Sequence, residues 1–214
     1  MIAIFGGTFD PVHLGHINMA KQCVNALNLN TLYFMPCALP AHKMAPGIST
    51  EHRVAMLNAA IAPYPFFQLD LRELHRTGPS YSLLSLQELR AQHPNTPIVF
   101  LIGMDSFNNL DKWYQWQAIT QLCHIVVYQR PGQQCAVSGH LQHYMQQAQV
   151  NNAKTLSHTV AGKLYFLPGE MLDAASSNIR QQLKNTNKKN ELLPDAVSLY
   201  IERHALYQND DNTN

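Results

Sequence analysis

Two histidines three residues apart, His13 and His16, sit in the stretch Gly6-Gly7-Thr8-Phe9-Asp10-Pro11-Val12-His13-Leu14-Gly15-His16. Ahead of them Ile2-Ala3-Ile4-Phe5 is a short apolar run that reads as a buried strand. Behind them Ile17 to Leu27 returns apolar residues at helical spacing. The stretch is therefore a strand-to-helix turn. A helix start offers unpaired N–H groups and the positive end of the helix dipole. Glycines let backbone approach a ligand without a Cβ in the way, and imidazoles add N–H donors and, when protonated, positive charge. That set suits phosphate groups. A tight turn and a packed histidine pair would account for the same residues one by one; their joint position, at the carboxyl end of a first strand, favours a nucleotide site. The sequence lacks the P-loop pattern, the G-x-G-x-x-G dinucleotide fingerprint and the H-E-x-x-H zinc motif.

Further candidates recur at the ends of other apolar runs. Pro40-Ala41-His42-Lys43 follows a second strand, and a lysine point charge there can meet phosphate oxygens, although a solvated basic loop has the same composition. Gly78-Pro79-Ser80-Tyr81-Ser82 opens a helix, as a turn and cap or as a cradle for an anion. Gly103-Met104-Asp105-Ser106 ends a strong apolar strand, where Asp105 can cap the next helix or accept from ribose hydroxyls. Trp113 in Asp111-Lys112-Trp113-Tyr114 can stack on a flat ring. Arg130 in Arg130-Pro131-Gly132 reads equally as a phosphate contact and as a structural pair. Ser176, Ser177 and Arg180 open a late helix and form a second possible phosphate cradle. His140 and His143 read as a solvated helix face.

The elements that must position these groups alternate. Strands are expected at 2–5, 31–36, 65–70, 97–103, 124–128 and 163–167, and helices at 17–27, 51–61 (capped by Thr50), 82–92, 113–122, 176–183 and 194–206. Residues 133–161, polar and glutamine-rich, read as a helix with loops at a sheet edge. Such alternation predicts an α/β fold: one Rossmann-like, doubly wound parallel sheet with helices on both faces. Residues 1–207 are expected to form a single domain and 208–214 a disordered polar tail.

At 214 residues, with 46% hydrophobic and 14% charged residues and a net charge of +1, the chain is globular and carries no basic face for nucleic acid or membrane. Four cysteines without C-x-x-C spacing, and no apparent signal segment, predict reduced thiols in the cytoplasm. The assembly state, monomer or homo-oligomer, is left open.

The motif G-G-T-F-D-P-V-H-x-G-H resembles the signature of the H-x-G-H nucleotidyltransferase superfamily, and most closely its bacterial nicotinate mononucleotide adenylyltransferases. The later elements follow the same family in order: P-x-H-K, P-S-Y-[TS], G-x-D-S, Trp113, R-P-G and a serine-rich helix start with Arg180, in which Ala174 and Ala175 depart from the family pattern. The resemblance implies transfer of AMP from ATP, with Mg²⁺ carried in by ATP, to nicotinate mononucleotide. It assigns His13, His16, Lys43 and Arg180 to catalysis. It assigns Gly6, Gly7, Thr8, Phe9, Gly103, Asp105 and Ser177, with His13, His16 and Arg180, to ATP. It assigns Tyr81, Ser82, Trp113, Tyr114, Lys43 and Arg130 to the mononucleotide, with no metal-ligating residue. Nicotinamide mononucleotide or phosphopantetheine as acceptor, and a non-catalytic nucleotide-binding protein, are the competing expectations. A class I aminoacyl-tRNA synthetase shares H-x-G-H but needs a longer, more basic chain.

Overall fold

A computed structural model of the protein describes residues 1–38, 47–170, 172, 174–185 and 190–208. Seven strands form one sheet: β1 (Ile2–Gly7), β2 (Leu32–Pro36), β3 (Phe67–Leu69), β4 (Ile98–Gly103), β5 (His124–Gln129), β6 (Gln149–Val150) and β7 (Leu164–Pro168). Their order is β3-β2-β1-β4-β5-β7-β6 and every pairing is parallel. The chain first winds outward from β1 to β3, then crosses back to lay β4 on the other side of β1. The carboxyl ends of β1 and β4 therefore flank the point where strand order reverses, the place at which open α/β sheets leave a crevice.

Side-chain alternation along the strands feeds two cores. Ala3 and Phe5 of β1, with Val99 and Leu101 of β4, face one core. It is covered by α1 (Leu14–Leu27), α2 (Thr50–Ile61), α7 (Ser176–Asn185) and α8 (Asp195–Arg203). Ile4, Ile98, Phe100 and Ile102 face the other, covered by α3 (Ser82–Gln92), α4 (Met104–Phe107), α5 (Trp116–Leu122) and α6 (Gly139–Ala148). β4 is apolar on both faces because helices close both, as its sequence predicts.

Three local expectations are corrected. α5 begins at Trp116 rather than Trp113, because Gln115 stands in the left-handed region (φ 48°) and Trp113 is extended. The apolar rhythm runs on through residues whose backbone is not helical. α2 takes Ser49 as its cap, its hydroxyl accepting from the His52 N–H, so Thr50 is already in the helix. The region 133–161 contributes α6 as expected, and also the short edge strand β6. Of the expected tail only Gln208 is among the described residues.

Candidate active site

β1 ends on Gly6 and Gly7, and α1 begins at Leu14 with His13 as its cap residue. The two glycines serve packing within the turn. A Cβ on Gly7 would stand 2.9 Å from the Phe9 ring, and one on Gly6 3.2 Å from the Phe100 ring. Phe9 takes a positive φ of 50° and turns its ring inward, where it meets His16 edge-on at 5.1 Å between centroids. Phe5 flanks the same imidazole at 5.9 Å, and His13 stacks on it at 3.7 Å. His16 is thus set among three rings. The His13 backbone N–H donates to His16 Nδ1 at 3.3 Å, which assigns the acceptor tautomer to Nδ1 and leaves the proton on Nε2.

His13 is buried, 5% exposed, and burial together with the Arg130 charge lowers its pKa from 6.5 to about 4. Its imidazole is therefore uncharged at neutral pH, not the cation the sequence allows for. Its Nδ1 is buried without a hydrogen-bond partner among the described residues. A consequence for stability follows. The unfolded chain takes up a proton on this imidazole below pH 6.5, while the native protein resists it until about 4. The contribution is complete above 6.5 and is lost as pH falls through that window, by about 3 kcal/mol at 1.36 kcal/mol per pH unit. His124, buried at the foot of β5, has a pKa lowered chiefly by burial and acts in the same direction. Urea midpoints of the ligand-free protein are expected to drop between pH 7 and 4.5, and to drop less in His13→Gln. An equal drop in the two proteins would show that His13 does not titrate this way.

Distant parts of the chain buttress the turn. Arg53 of α2, 1% exposed, donates to the Thr8 carbonyl at 2.8 Å, to the Ala38 carbonyl at 3.3 Å and to Thr50 Oγ1 at 2.9 Å. Ser176 Oγ donates to the Pro11 carbonyl at 3.0 Å, and Arg180 Nη1 to the Asp10 carbonyl at 2.6 Å. The start of α7 is in this way tied to the turn, so the two helix starts face one cavity of about 800 Å³.

That cavity gathers the residues expected to meet ATP. Gly6, Gly7, Thr8, Phe9, His13 and His16 line it from the first turn, Gly103 and Asp105 from the end of β4, and Ser177 and Arg180 from α7. Arg130 is here as well, its Nη1 donating to the Leu172 carbonyl at 3.1 Å. The structure thus groups Arg130 with the histidines rather than with Tyr81, Ser82, Trp113 and Tyr114, and gives it a structural bond besides.

A second cavity of about 520 Å³ holds the other expected group: Tyr81, Ser82, Trp113 and Tyr114. Ser82 is the first residue of α3, with Tyr81 as the cap residue. The half-buried Trp113 ring lies edge-on to Phe100 at 6.1 Å, and Tyr114 leans on Tyr81 at 4.7 Å on the rim. Gly6, Gly7, Thr8, Asp105 and Ser106 line both cavities, so the two are lobes of one cleft over the switch point. Lys43, with the whole Pro40-Ala41-His42-Lys43 element, lies outside the described residues.

Sequence reading misses Glu73. It occupies a 3₁₀ turn (Arg72–His75), is 4% exposed and lines the smaller lobe. Ser85 Oγ donates to its Oε1 at 2.7 Å, and burial raises its pKa. Ser80, beside it, accepts from the Ala38 N–H at 3.0 Å and so joins this wall to the end of β2.

A parallel sheet with two helix starts and paired imidazoles over its switch point defines a nucleotide-binding α/β protein whose cleft has room for a second, ring-bearing ligand. The chain belongs to the cytidylyltransferase-like family, whose family model matches residues 4–182, and within it to the nicotinate-nucleotide adenylyltransferases. It is 38% identical over 207 residues to a protein of Pseudoalteromonas atlantica named "Probable nicotinate-nucleotide adenylyltransferase", covering 97% of this chain and 94% of that one. It is 39% identical to one of the same name from Methylococcus capsulatus, covering 97% and 99%. The fold matches the Plasmodium falciparum nicotinic acid mononucleotide adenylyltransferase complexed with NaAD, at a TM-score of 0.72, 19% identity and 96% coverage of both chains.

Proposed function

We propose that this enzyme transfers the AMP moiety of ATP to nicotinate mononucleotide, releasing pyrophosphate and forming nicotinate adenine dinucleotide for NAD synthesis. The observation that carries the reading is the two-lobed cleft: a phosphate lobe with both histidines and Arg180, continuous through Gly6, Gly7 and Asp105 with an aromatic lobe that opens on a helix start. A phosphate oxygen of the mononucleotide, already ionised at neutral pH, attacks the α-phosphorus of ATP in line. The new bond is O–Pα, and the bond broken is that between Pα and the oxygen bridging to Pβ. No general base is needed, and catalysis rests on alignment and on stabilising charge at the bridging and α-phosphate oxygens.

In this reading His13 and His16 donate to α- and β-phosphate oxygens as neutral imidazoles. Arg180 and Lys43 neutralise the departing pyrophosphate, with Ser177 beside Arg180. Asp105, on the border of the two lobes, accepts from ribose hydroxyls. Ser82 and the N–H groups at the start of α3 meet the pyridine carboxylate, which suits a helix N-terminus for the reason phosphate does. Trp113 stacks on the ring. Mg²⁺ arrives as part of the ATP substrate, held by phosphate oxygens and water; among the described residues no group of three His, Cys, Asp or Glu could cage an ion. The four cysteines are all free, which supports a reducing compartment, the cytoplasm. No helix of the described residues is long and apolar enough to cross a membrane.

Pyrophosphate release with MgATP tests the reading when nicotinate mononucleotide, nicotinamide mononucleotide and phosphopantetheine are offered in parallel. A strong preference for the first is expected. Preference for another acceptor would overturn the assignment of Ser82 and Trp113 while keeping the chemistry. No turnover with any of them, alongside measurable ATP binding, would leave a nucleotide-binding protein without catalysis.

A further inference from the structure

The Asp10 carboxyl lies within the phosphate turn and is met from the far end of the chain. Tyr207, beyond α8, turns its phenol inward, where it is 8% exposed, and donates to Asp10 Oδ1 at 2.6 Å. The backbone that delivers it is left-handed at Ala205 (φ 49°) and at Tyr207 itself (φ 63°). Non-glycine residues rarely take that conformation, and it persists where surrounding contacts fix it. The other oxygen, Oδ2, stands 3.9 Å from Arg180 Nη1, and the same Nη1 donates to the Asp10 carbonyl at 2.6 Å. Arg180 therefore leans on the backbone of Asp10 and only loosely on its charge.

We propose that Tyr207 is a positioning residue for the phosphate lobe: by occupying the Asp10 carboxyl it keeps the Arg180 guanidinium directed into the cleft instead of folded onto Asp10. The proposal rests on the reading of Arg180 as a triphosphate contact. Its physical basis is competition for the charge of one buried carboxylate, of which Tyr207 holds Oδ1 while Arg180 stands off Oδ2. A buried carboxyl oxygen that loses its donor draws in whatever donor can reach it. Two cations reach the backbone of this turn. Arg53 is held by the Thr8 carbonyl, the Ala38 carbonyl and Thr50. Arg180, with its side chain 37% exposed, is the one able to move. A shift of roughly 1 Å would bring it from loose contact to a direct charge-assisted bond. A guanidinium paired in this way has less charge and fewer N–H groups left for phosphate.

The test compares Tyr207→Phe, Arg180→Ala and their double variant, using steady-state kinetics and calorimetric binding of pyrophosphate. Phenylalanine keeps the buried ring, and a melting curve checks that the fold is retained. In Tyr207→Phe, pyrophosphate affinity is expected to weaken and KM for MgATP to rise by about five- to tenfold, the scale of one ordinary hydrogen bond. KM for nicotinate mononucleotide is expected to change less than about twofold, since that lobe is lined by other residues. The double variant is expected to be no worse than Arg180→Ala, because Tyr207 has nothing left to act through. Adding Asp10→Asn to Tyr207→Phe removes the negative charge that draws Arg180 and is expected to restore pyrophosphate affinity. Effects that multiply in the double variant, or a Tyr207→Phe loss confined to kcat, would overturn the role of Tyr207 while sparing that of Arg180. Unchanged pyrophosphate affinity in Arg180→Ala would instead remove the reading of Arg180, and the proposal with it.

Discussion

His16→Ala is expected to lower kcat by about 10² to 10³, the usual cost of removing one preorganised donor aimed at transition-state charge. The size of the effect follows from how firmly the ring is held. Phe5, Phe9 and His13 surround it, and the His13 N–H to Nδ1 fixes which nitrogen keeps the proton. In the proposed reaction the Nε2–H donor is therefore in place before substrate arrives, and it needs no reorganisation to meet charge developing on the phosphate oxygens. Alanine removes the donor and leaves a gap that water fills without the same alignment. KM for either substrate should change far less than kcat, because the bond strengthens mainly in the transition state. His16→Asn, which can present an amide N–H from a similar distance, is expected to recover part of the loss. Single-turnover measurement at saturating MgATP and nicotinate mononucleotide decides the matter. A fall of less than about threefold would mean that this imidazole does not face the reacting phosphates, whatever the motif suggests.

The site could be read from the sequence to the extent that it is local. β1, the turn and the start of α1 are consecutive residues, so apolar pattern, glycine and histidine positions fix them together. β4 is likewise self-declaring, because a strand covered on both faces is apolar at every position. Its carboxyl end must then bring Asp105 towards Gly6 and Gly7. Contacts between distant segments are what the sequence hides. Arg53 is a partial exception: it lies on the same stripe as Met56, Leu57 and Ala60, and a cation on the buried face of a helix calls for acceptors. Which acceptors, Thr8 and Ala38, only the fold shows. Glu73 sits in Arg72-Glu73-Leu74-His75-Arg76, a run that reads as a solvated charged turn. It is buried because Ser85 returns to it from α3 and Arg76 comes within 3.8 Å. Tyr207 carries no signal at all, since its partner Asp10 is 197 residues away. The glycines show a different gap. Gly6 and Gly7 read as room for a ligand, yet the space at Gly7 is taken by the ring of Phe9.

Gly15 carries that last point into function. It occupies the first turn of α1, where alanine is ordinarily the better helix former by about 1 kcal/mol. Its backbone takes no positive φ, so conformation alone does not call for glycine. The space around it does. A Cβ would stand 2.9 Å from His13 Nδ1 and 3.0 Å from the Ala174 Cβ. Neither neighbour can yield freely. His13 is stacked on His16 and buried, and Ala174 precedes the helix start tied to the turn through Ser176 and Arg180. Gly15→Ala therefore has to displace the His13 ring, and His16 with it, or push the start of α7 away from the turn. Either movement separates donors that converge on the same phosphates in the proposed mechanism, and a misplacement of roughly 1 Å can cost about 10²-fold in rate. The expected result is a loss of kcat of that order, with a melting temperature lowered by only a few degrees because helix propensity offsets part of the strain. Measuring both in one variant separates the two effects. A protein that melts like wild type and turns over within about threefold of it would show that the first turn of α1 can absorb a methyl group, and that the close packing at Gly15 is not what aligns the histidines.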